Sequence, residues 1–329
     1  MKQDPVTKLL KPFDFNQIMD EVPDLAKFGY HIDNVSFNPV IDSSDASPDF
    51  WVRLAGIIEE RYELYDGFVV LHGTDTMAYS ASVLSFMLED LEKPVIFTGS
   101  QLPIGMLRTD GKENLISSIE LAAARDGEGH PMVPEVCVFF ESRLYRGNCT
   151  RKFNAEDFNA FRSENCPVLA EAGIHIRFNR QTIVRPNIWE RSLKVHTALD
   201  TRVAVLKIFP GIRQEAVDAC LAIEGLRAVV LETFGSGNAP SDQRFLDSIA
   251  SFTAKGGIVV NVTQCPAGSV NMETYANGEG LKRAGAVSGR DMTTEAVLAK
   301  LFVLMGQSAD NARVRVMMGK NLRGEFSNK

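Results

Sequence analysis

Short apolar runs alternate with stretches of helical periodicity along most of this chain. Phe68–Leu71 is a run of four apolar residues, which is typical of a strand buried on both faces. From Met77 onward the apolar residues recur at helical spacing, and a second apolar run comes at 94–97. This order predicts a βαβ unit with two parallel strands. Residues 73–76 lie at the carboxyl end of the first strand, where open α/β sheets bind small polar ligands.

The same alternation continues to the C-terminus and predicts an α/β fold. Further buried strands are predicted at 136–140, 203–208, 228–232 and 258–263, and helices at 51–58, 111–125, 213–224, 241–254, 294–305 and 310–318. Residues 183–201 have no clear period and predict a linker. We therefore expect a larger N-terminal domain with a mostly parallel sheet at residues 1–182, that linker, and a smaller C-terminal α/β domain at residues 202–329.

Composition narrows the classes of protein that remain. The formal net charge is −7, which argues against a nucleic-acid partner because such proteins carry basic surfaces. No apolar run is long enough to span a bilayer, and the first residues lack the apolar core of a signal peptide. The five cysteines form no C-x-x-C pair, and the five histidines lack metal-ligand spacing. We therefore expect a cytoplasmic protein with free thiols, without membrane association and without a bound metal.

Thr74 and Asp75 lie where the helix of the βαβ unit begins, and together with Lys152 they are the candidate catalytic residues. A threonine hydroxyl is a poor nucleophile and needs a neighbouring base, which a lysine held near a carboxylate can provide. The carboxylate can also bind a substrate ammonium group, while Ser43, Ser44 and helix N–H groups can bind a substrate carboxylate. Together these groups suit a small zwitterion. The sequence does not place Lys152 beside Thr74, and helix capping by Thr74 and Asp75 is the alternative interpretation.

Other polar positions in this region also have structural explanations. Ser44 can be a cap or turn residue before the helix at 51–58. His72 can be a packed or turn-stabilising histidine instead of a catalytic one. The basic run at 143–152 can be a solvated charged surface, although its position directly after a strand favours the lining of a site.

The sequence resembles bacterial L-asparaginases of the cytoplasmic type, type I. The most specific match is the block HGTDTM at residues 72–77. Further matching segments occur in the order found in the family, at 42–45, 66–79, 93–101, 143–148, 171–176, 237–240, 263–265 and 321–325. The resemblance therefore covers nearly the whole chain.

The resemblance implies hydrolysis of L-asparagine to L-aspartate and ammonia without a metal or cofactor. Thr74, Asp75 and Lys152 fall on the catalytic group of the family, and Asp75 also matches the acid that binds the substrate amino group. Ser43 and Ser44 match the turn that holds the substrate carboxylate. Family members have a larger N-terminal and a smaller C-terminal α/β domain and form dimers or tetramers. We therefore expect a cytoplasmic amidohydrolase of amino-acid metabolism that forms a homo-oligomer.

One part of the family pattern has no match. Family members begin with a strand that ends in the sequence TGGTIGM, and its second threonine is generally taken as the attacking nucleophile. This sequence begins with Met1-Lys2-Gln3, which resembles the segment on the C-terminal side of that motif in the family. Among the hydroxyls of the catalytic group, Thr74 is therefore the one expected to attack the amide and form the acyl-enzyme.

Alternative functions stay open on the sequence. A glutamine-preferring or dual amidase would use the same chemistry, as would the amidase subunit of a tRNA-dependent amidotransferase, which normally carries an N-terminal extension. A non-catalytic amino-acid-binding protein belongs to a different class. Release of ammonia from asparagine, compared with binding measured by calorimetry, separates an enzyme from a binding protein.

We predict that this chain turns over asparagine much more slowly than a version extended at its N-terminus by the Thr-Gly-Gly-Thr-Ile strand. The extension supplies the hydroxyl that the family uses for attack. The measurement is ammonia release from asparagine by both proteins under the same conditions. Equal turnover would contradict the prediction.

Overall fold

The computed structural model describes residues 2–3, 10–11, 22–186, 189, 191–273 and 276–327. The chain divides into two compact units. The first consists of residues 1–84, 90–163 and 167–193, and the second of residues 85–89, 164–166 and 194–329. The domain boundaries drawn from the sequence remain a prediction, because this division assigns short segments of the N-terminal half to the second unit.

Strands and helices alternate through both units. Strands β1 to β16 lie at Lys2–Gln3, Leu10–Lys11, Phe68–Leu71, Leu88–Glu89, Val95–Thr98, Val136–Phe140, Arg143–Arg146, Arg151–Lys152, Phe161–Arg162, Ala170–Ala172, Ile176–Phe178, Lys194–Val195, Val203–Lys207, Ala228–Thr233, Ile258–Thr263 and Val287–Ser288. Helices α1 to α8 lie at Pro48–Arg61, Met77–Met87, Gly111–Ala123, Gln214–Leu221, Gln243–Ala254, Ala276–Arg283, Thr294–Gln307 and Asn311–Met318. Three pairs of short strands, β1 with β2, β4 with β12 and β8 with β9, form separate antiparallel ribbons.

A six-stranded sheet with the order β11-β10-β7-β6-β5-β3 forms the centre of the first unit. β3, β5 and β6 run parallel to one another. The pairs β6–β7, β7–β10 and β10–β11 are antiparallel. The α/β fold with a larger N-terminal unit is therefore confirmed. Its described sheet is mixed and not mostly parallel as the sequence predicted, because parallel pairing is limited to the strands of the βαβ unit and their neighbour β6.

A tight hairpin between β6 and β7 explains the change from parallel to antiparallel pairing. Glu141 and Ser142 form its two-residue turn, and both have positive φ angles, of 45° and 65°. Positive φ at both central residues is the signature of a type I′ turn, whose twist matches that of two antiparallel strands. The chain therefore reverses directly after β6 instead of crossing over through a helix.

The helix that comes after β3 is held in the interior along its length. Apart from Tyr79, every residue of α2 is buried, so this helix has no solvent-facing side. On the other strands of the sheet, Ile96 and Phe139 form a buried cluster with Leu121 of α3. The segment between β3 and α2 is therefore held at both ends. Its first end is held by the pairing of β3 with β5, and its second end by the packing of α2.

A four-stranded parallel sheet with the order β13-β14-β15-β16 forms the centre of the second unit. Alternate residues of β14 pack into separate apolar clusters. Val229 and Leu231 lie with Phe245 of α5 in one cluster, and Val230 lies with Val297 of α7 in the other. Both faces of this sheet are thus covered by helices, as a parallel sheet requires.

A buried ion pair ties the last segment of the chain to α7. The Lys300 Nζ donates to Glu325 Oε1 over 2.6 Å, and neither side chain is exposed to solvent. Nζ also donates to the carbonyl oxygens of Met318 and Lys320, and the Glu325 carboxylate accepts from the backbone N–H of Leu322. Burial lowers the pKa of Lys300, and the adjacent Glu325 partly offsets that effect. Each charge is therefore compensated only while the other is present.

We predict that Lys300→Met lowers the free energy of unfolding of the second unit by about 3–5 kcal/mol, since it leaves the Glu325 carboxylate buried without its counter-ion. Denaturant titration followed by circular dichroism measures this change.

The matched control is Lys282→Met, because Lys282 pairs with Glu273 over 2.5 Å while 53% of its side chain stays exposed. An exposed pair contributes only about 0–1 kcal/mol, so this variant should unfold much like the natural chain. Equal effects of the two substitutions would show that burial of the Lys300 pair carries no special cost.

Candidate active site

The segment at 72–76 connects the carboxyl end of β3 to the first residue of α2. The backbone N–H of His72 donates to the carbonyl oxygen of Thr98 over 2.8 Å, so sheet pairing continues one residue beyond β3. Gly73 then passes close to Ser43, because a Cβ at residue 73 would lie 2.4 Å from the Ser43 Oγ. This close approach requires glycine, and the two candidate residues of the strand end come directly after it.

Lys152 reaches this strand end from β8, where it lies opposite Phe161 of β9. The Lys152 Nζ donates to Thr74 Oγ1 over 2.8 Å and to Asp75 Oδ1 over 2.6 Å. The three residues predicted to be catalytic thus lie in direct contact, although Lys152 is 78 and 77 positions away from the other two. Their catalytic roles stay a prediction.

The Thr74 hydroxyl lies between a donor and an acceptor. Its Oγ1 accepts from Lys152 and donates to Gln101 Oε1 over 3.1 Å. The Gln101 Nε2 donates to the carbonyl oxygens of Ala155 and Asp157 over 3.1 and 3.0 Å. Because carbonyl oxygens only accept, the NH₂ group of Gln101 must face them and Oε1 must face Thr74. The hydroxyl proton of Thr74 therefore points toward Gln101 and away from Lys152.

Gln101 was not among the residues predicted to line the site. It comes after β5, which is the parallel neighbour of β3, and the carboxyl ends of such strands meet at one edge of the sheet. Its backbone N–H donates to the Asp110 carboxylate over 3.0 Å, which fixes its position. The polar residues after the second strand of the βαβ unit were the signal that could have identified it.

The turn Ser43–Asp45 lies against the beginning of α2. The Thr76 hydroxyl donates to the carbonyl oxygen of Ser43 over 2.5 Å. The Asp42 carboxylate accepts from the backbone N–H and the hydroxyl of Ser44, each over 2.9 Å, and these two bonds lower the pKa of Asp42. The Ser44 hydroxyl is thus directed back to Asp42, whereas the Ser43 hydroxyl forms no hydrogen bond with the described residues.

The ion pair at the centre of the site is accessible from solvent. The exposed fraction is 64% for the Asp75 side chain and 20% for that of Lys152. Exposed ion pairs contribute only about 0–1 kcal/mol to stability, so stability gives little reason for this arrangement. An open carboxylate can accept an ammonium group from a ligand, and an amine in contact with a hydroxyl can exchange a proton with it.

Three further features bear on the expectations from composition. Within the described ranges, no group of three or more His, Cys, Asp or Glu side chains is arranged to hold a metal ion. None of the helices that the structure describes combines the length and the apolar character needed to cross a bilayer. The five cysteines, which all lie in the described part of the chain, are free thiols.

Comparison with known proteins relates this geometry to a family. The family model for the N-terminal asparaginase domain matches residues 1–184. The family model for the glutaminase/asparaginase C-terminal domain matches residues 202–318. The two matches together cover most of the chain, in the order expected from its resemblance.

Individual relatives agree with these matches. The chain is 46% identical to L-asparaginase 1 of Escherichia coli over 305 residues, which make up 93% of this chain and 86% of that protein. It is 45% identical over 290 residues to the 60 kDa lysophospholipase of Mus musculus, covering 88% of this chain and 50% of that protein. The crystal structure of L-asparaginase I from Vibrio cholerae matches with a TM-score of 0.87 and 40% identity, covering 97% of this chain and 95% of that one. The chain therefore belongs to the asparaginase family.

Proposed function

We propose that this chain hydrolyses L-asparagine to L-aspartate and ammonia. The observation that carries the proposal is the contact of the Lys152 Nζ with both the Thr74 hydroxyl and the Asp75 carboxylate. Membership of the asparaginase family supports it, as does the identity with L-asparaginase 1 of Escherichia coli. The site offers an amine, a hydroxyl and an open carboxylate, which are the groups that cleavage of a small zwitterionic amide needs.

Two groups are assigned to substrate recognition: the Asp75 carboxylate and the turn Ser43–Asp45, which lies against the beginning of α2. The Asp75 carboxylate binds the substrate ammonium group, for which its exposure leaves room. The substrate carboxylate binds at the turn Ser43–Asp45. Ser43 is the better donor of the two predicted serines, because its hydroxyl is uncommitted among the described residues while that of Ser44 donates to Asp42.

The reaction runs through an ester of Thr74. The Lys152 ammonium first loses one proton to solvent, to which the ion pair is open. The Thr74 hydroxyl then turns from Gln101 toward Nζ and loses its proton to this neutral amine as Oγ1 attacks the side-chain amide carbon. Backbone N–H groups stabilise the oxyanion. The C–N bond then breaks, Lys152 returns the proton to the leaving nitrogen, and ammonia departs. Water, deprotonated by the same amine, attacks the ester, releases L-aspartate and restores the hydroxyl.

We predict that Lys152→Met and Thr74→Val each reduce ammonia release from saturating asparagine by about a thousandfold or more, because each removes one partner of a proton transfer. Ammonia is measured over time, and circular dichroism checks that both variants fold.

The matched controls are Lys282→Met and Thr201→Val, which alter a lysine and a threonine outside the site. Lys282 pairs with Glu273, and Thr201 is exposed. Both should keep the activity of the natural chain. Undiminished turnover in Lys152→Met would refute the assigned roles, and binding of asparagine without any ammonia release would favour a binding protein.

The residue that attacks the amide can be identified separately, by trapping the acyl-enzyme during turnover of asparagine. Rapid acid quench followed by mass mapping of peptides should find an aspartyl ester on Thr74. An ester on a different hydroxyl would overturn the assignment of the attack to Thr74 while leaving the hydrolysis itself supported.

Gln101 has a supporting role in this proposal. Its Oε1 accepts the hydrogen bond of the Thr74 hydroxyl in the resting arrangement, and its Nε2 holds the carbonyl oxygens of Ala155 and Asp157. Those two residues belong to the loop that joins β8, which carries Lys152, to β9. A single amide group thus links the position of Thr74 to that of the strand that supplies the amine.

We predict that Gln101→Glu speeds amide hydrogen exchange in the loop 153–160 by about tenfold, since a carboxylate cannot donate to two carbonyl oxygens and each lost bond costs about 0.5–1.5 kcal/mol. Exchange followed by mass spectrometry measures the loop directly. Gln243→Glu, at an exposed pair with Asp247 on α5, is the matched control and should leave this loop unchanged. Identical exchange in the natural chain and Gln101→Glu would contradict the proposed link.

A cytoplasmic location and a homo-oligomeric state complete the proposal. Five free thiols are typical of a reducing compartment, which supports the location. Family membership supports the assembly, because most soluble oligomers of enzymes are symmetric assemblies of one chain.

A further inference from the structure

Three hydrogen bonds lead from the interior to the peptide that precedes Thr74. The Trp51 Nε1 lies 2.9 Å from the Ser80 Oγ, which in turn lies 2.9 Å from the His72 Nε2. The His72 Nδ1 lies 2.7 Å from the carbonyl oxygen of Gly73. Trp51 belongs to α1 and the fully buried Ser80 to α2. These three side chains are called the Trp51–Ser80–His72 relay.

The two ends of the relay fix the direction of every hydrogen bond in it. An indole N–H can only donate, and the Gly73 carbonyl oxygen can only accept. The proton of the imidazole must therefore be on Nδ1, and the Nε2 of the neutral ring accepts from the Ser80 hydroxyl. That hydroxyl in turn accepts from Trp51. The histidine thus has one defined tautomer, and each polar group of the relay has a partner.

The surroundings of His72 keep its ring neutral. The rings of Phe50 and Phe97 lie on it with centroid distances of 5.5 and 5.8 Å. Burial lowers the pKa of His72, and the hydrogen bond to Gly73 opposes that effect only in part. A protonated ring would also direct a second N–H at the Ser80 hydroxyl, which would then lose its acceptor.

Fixing the Gly73 carbonyl also fixes an N–H group inside the site. The peptide between Gly73 and Thr74 is planar, and its C=O and N–H bonds point in opposite directions. A bond that holds the carbonyl toward His72 therefore directs the Thr74 N–H away from that ring. This N–H forms no hydrogen bond with any of the described residues, and it belongs to the residue whose hydroxyl contacts Lys152. A free N–H of fixed direction is the kind of donor that stabilises an oxyanion.

We propose that the Trp51–Ser80–His72 relay orients the Gly73–Thr74 peptide so that the Thr74 N–H stabilises the oxyanion of the reaction. Trp51, Ser80 and His72 are positioning residues, because they act through Gly73. This inference rests on the proposed amide hydrolysis. It assigns His72 a role that the sequence left open between packing and catalysis.

The test compares Ser80→Ala with two substitutions of His72. Without the Ser80 donor, His72 can take the other tautomer, which directs a lone pair at the Gly73 carbonyl and turns the peptide. We expect the kcat for asparagine to fall at least about tenfold with little change in KM, since an oxyanion donor acts mainly in the transition state. His72→Asn places an amide N–H near the position of Nδ1 and should keep kcat within about threefold, whereas His72→Gln cannot and should resemble Ser80→Ala.

Ser118→Ala is the matched control, because Ser118 is also a fully buried helical serine and donates only to the carbonyl oxygen of Asn114. It should leave kcat and KM unchanged. A purely structural role of the relay would reduce the yield of folded protein and would not separate His72→Asn from His72→Gln. If Ser80→Ala does not fold, the comparison of His72→Asn with His72→Gln carries the test, and equal kcat in those two variants would overturn the relay. Trp51→Phe leaves the Ser80 hydroxyl able to donate to His72 and should lower kcat less than His72→Gln does.

A readout independent of turnover distinguishes failure of this inference from failure of the proposed function. In protein labelled with ¹⁵N-histidine, one of the five imidazoles should show the Nδ1–H tautomer and lose that signature in Ser80→Ala. Normal kcat in Ser80→Ala, or an Nε2–H tautomer at His72, would overturn the relay while the hydrolysis stands. Absence of ammonia release from the natural chain would instead overturn the hydrolysis and the catalytic purpose of the relay together.

Discussion

Two hydrogen bonds from the Lys152 Nζ join a short antiparallel ribbon to the end of strand β3, which lies at one edge of the described six-stranded sheet. One ends on the Thr74 hydroxyl at 2.8 Å and the other on the Asp75 carboxylate at 2.6 Å. Because this pair is accessible to solvent, it adds little to the stability of the fold. Its importance is geometric, since it keeps one amine in hydrogen-bond contact with both a hydroxyl and a carboxylate. Every functional role assigned to the chain depends on that contact.

The rest of the first unit holds this contact in place from several directions. Gln101, at the end of the neighbouring parallel strand, fixes the Thr74 side chain and the loop beside Lys152. His72 fixes the backbone of the same threonine through the Gly73 carbonyl. The buried helix α2 begins immediately afterwards and cannot shift without disturbing its packing. Side chain and backbone are thus positioned before substrate arrives, which is how a site avoids reorganisation during the reaction.

Local patterns account for the parts of this arrangement that could be predicted from the sequence. Apolar runs and helical spacing predict β3, β5 and α2, and the order of these elements predicts the polar strand end. Lys152 could be paired with Thr74 only through the family resemblance, because periodicity carries no information about contacts across 78 positions. The hairpin after β6 was not predicted because Glu141 and Ser142 are not the Asn-Gly pair that usually marks a type I′ turn. The relay could not be predicted because Trp51 and Ser80 have the spacing of ordinary core residues, and only their hydrogen bonds distinguish them.

The most direct test of the account is a crystal structure of this chain with L-aspartate, the product of the proposed reaction. The account predicts that the ammonium group of aspartate lies within hydrogen-bond distance, about 3 Å, of the Asp75 carboxylate. It also predicts that the side-chain carboxylate lies at the same distance from the Thr74 N–H, with Lys152 still in contact with the Thr74 hydroxyl. Aspartate bound away from this strand end, or a Lys152 Nζ separated from Thr74 by more than one water molecule, would contradict it.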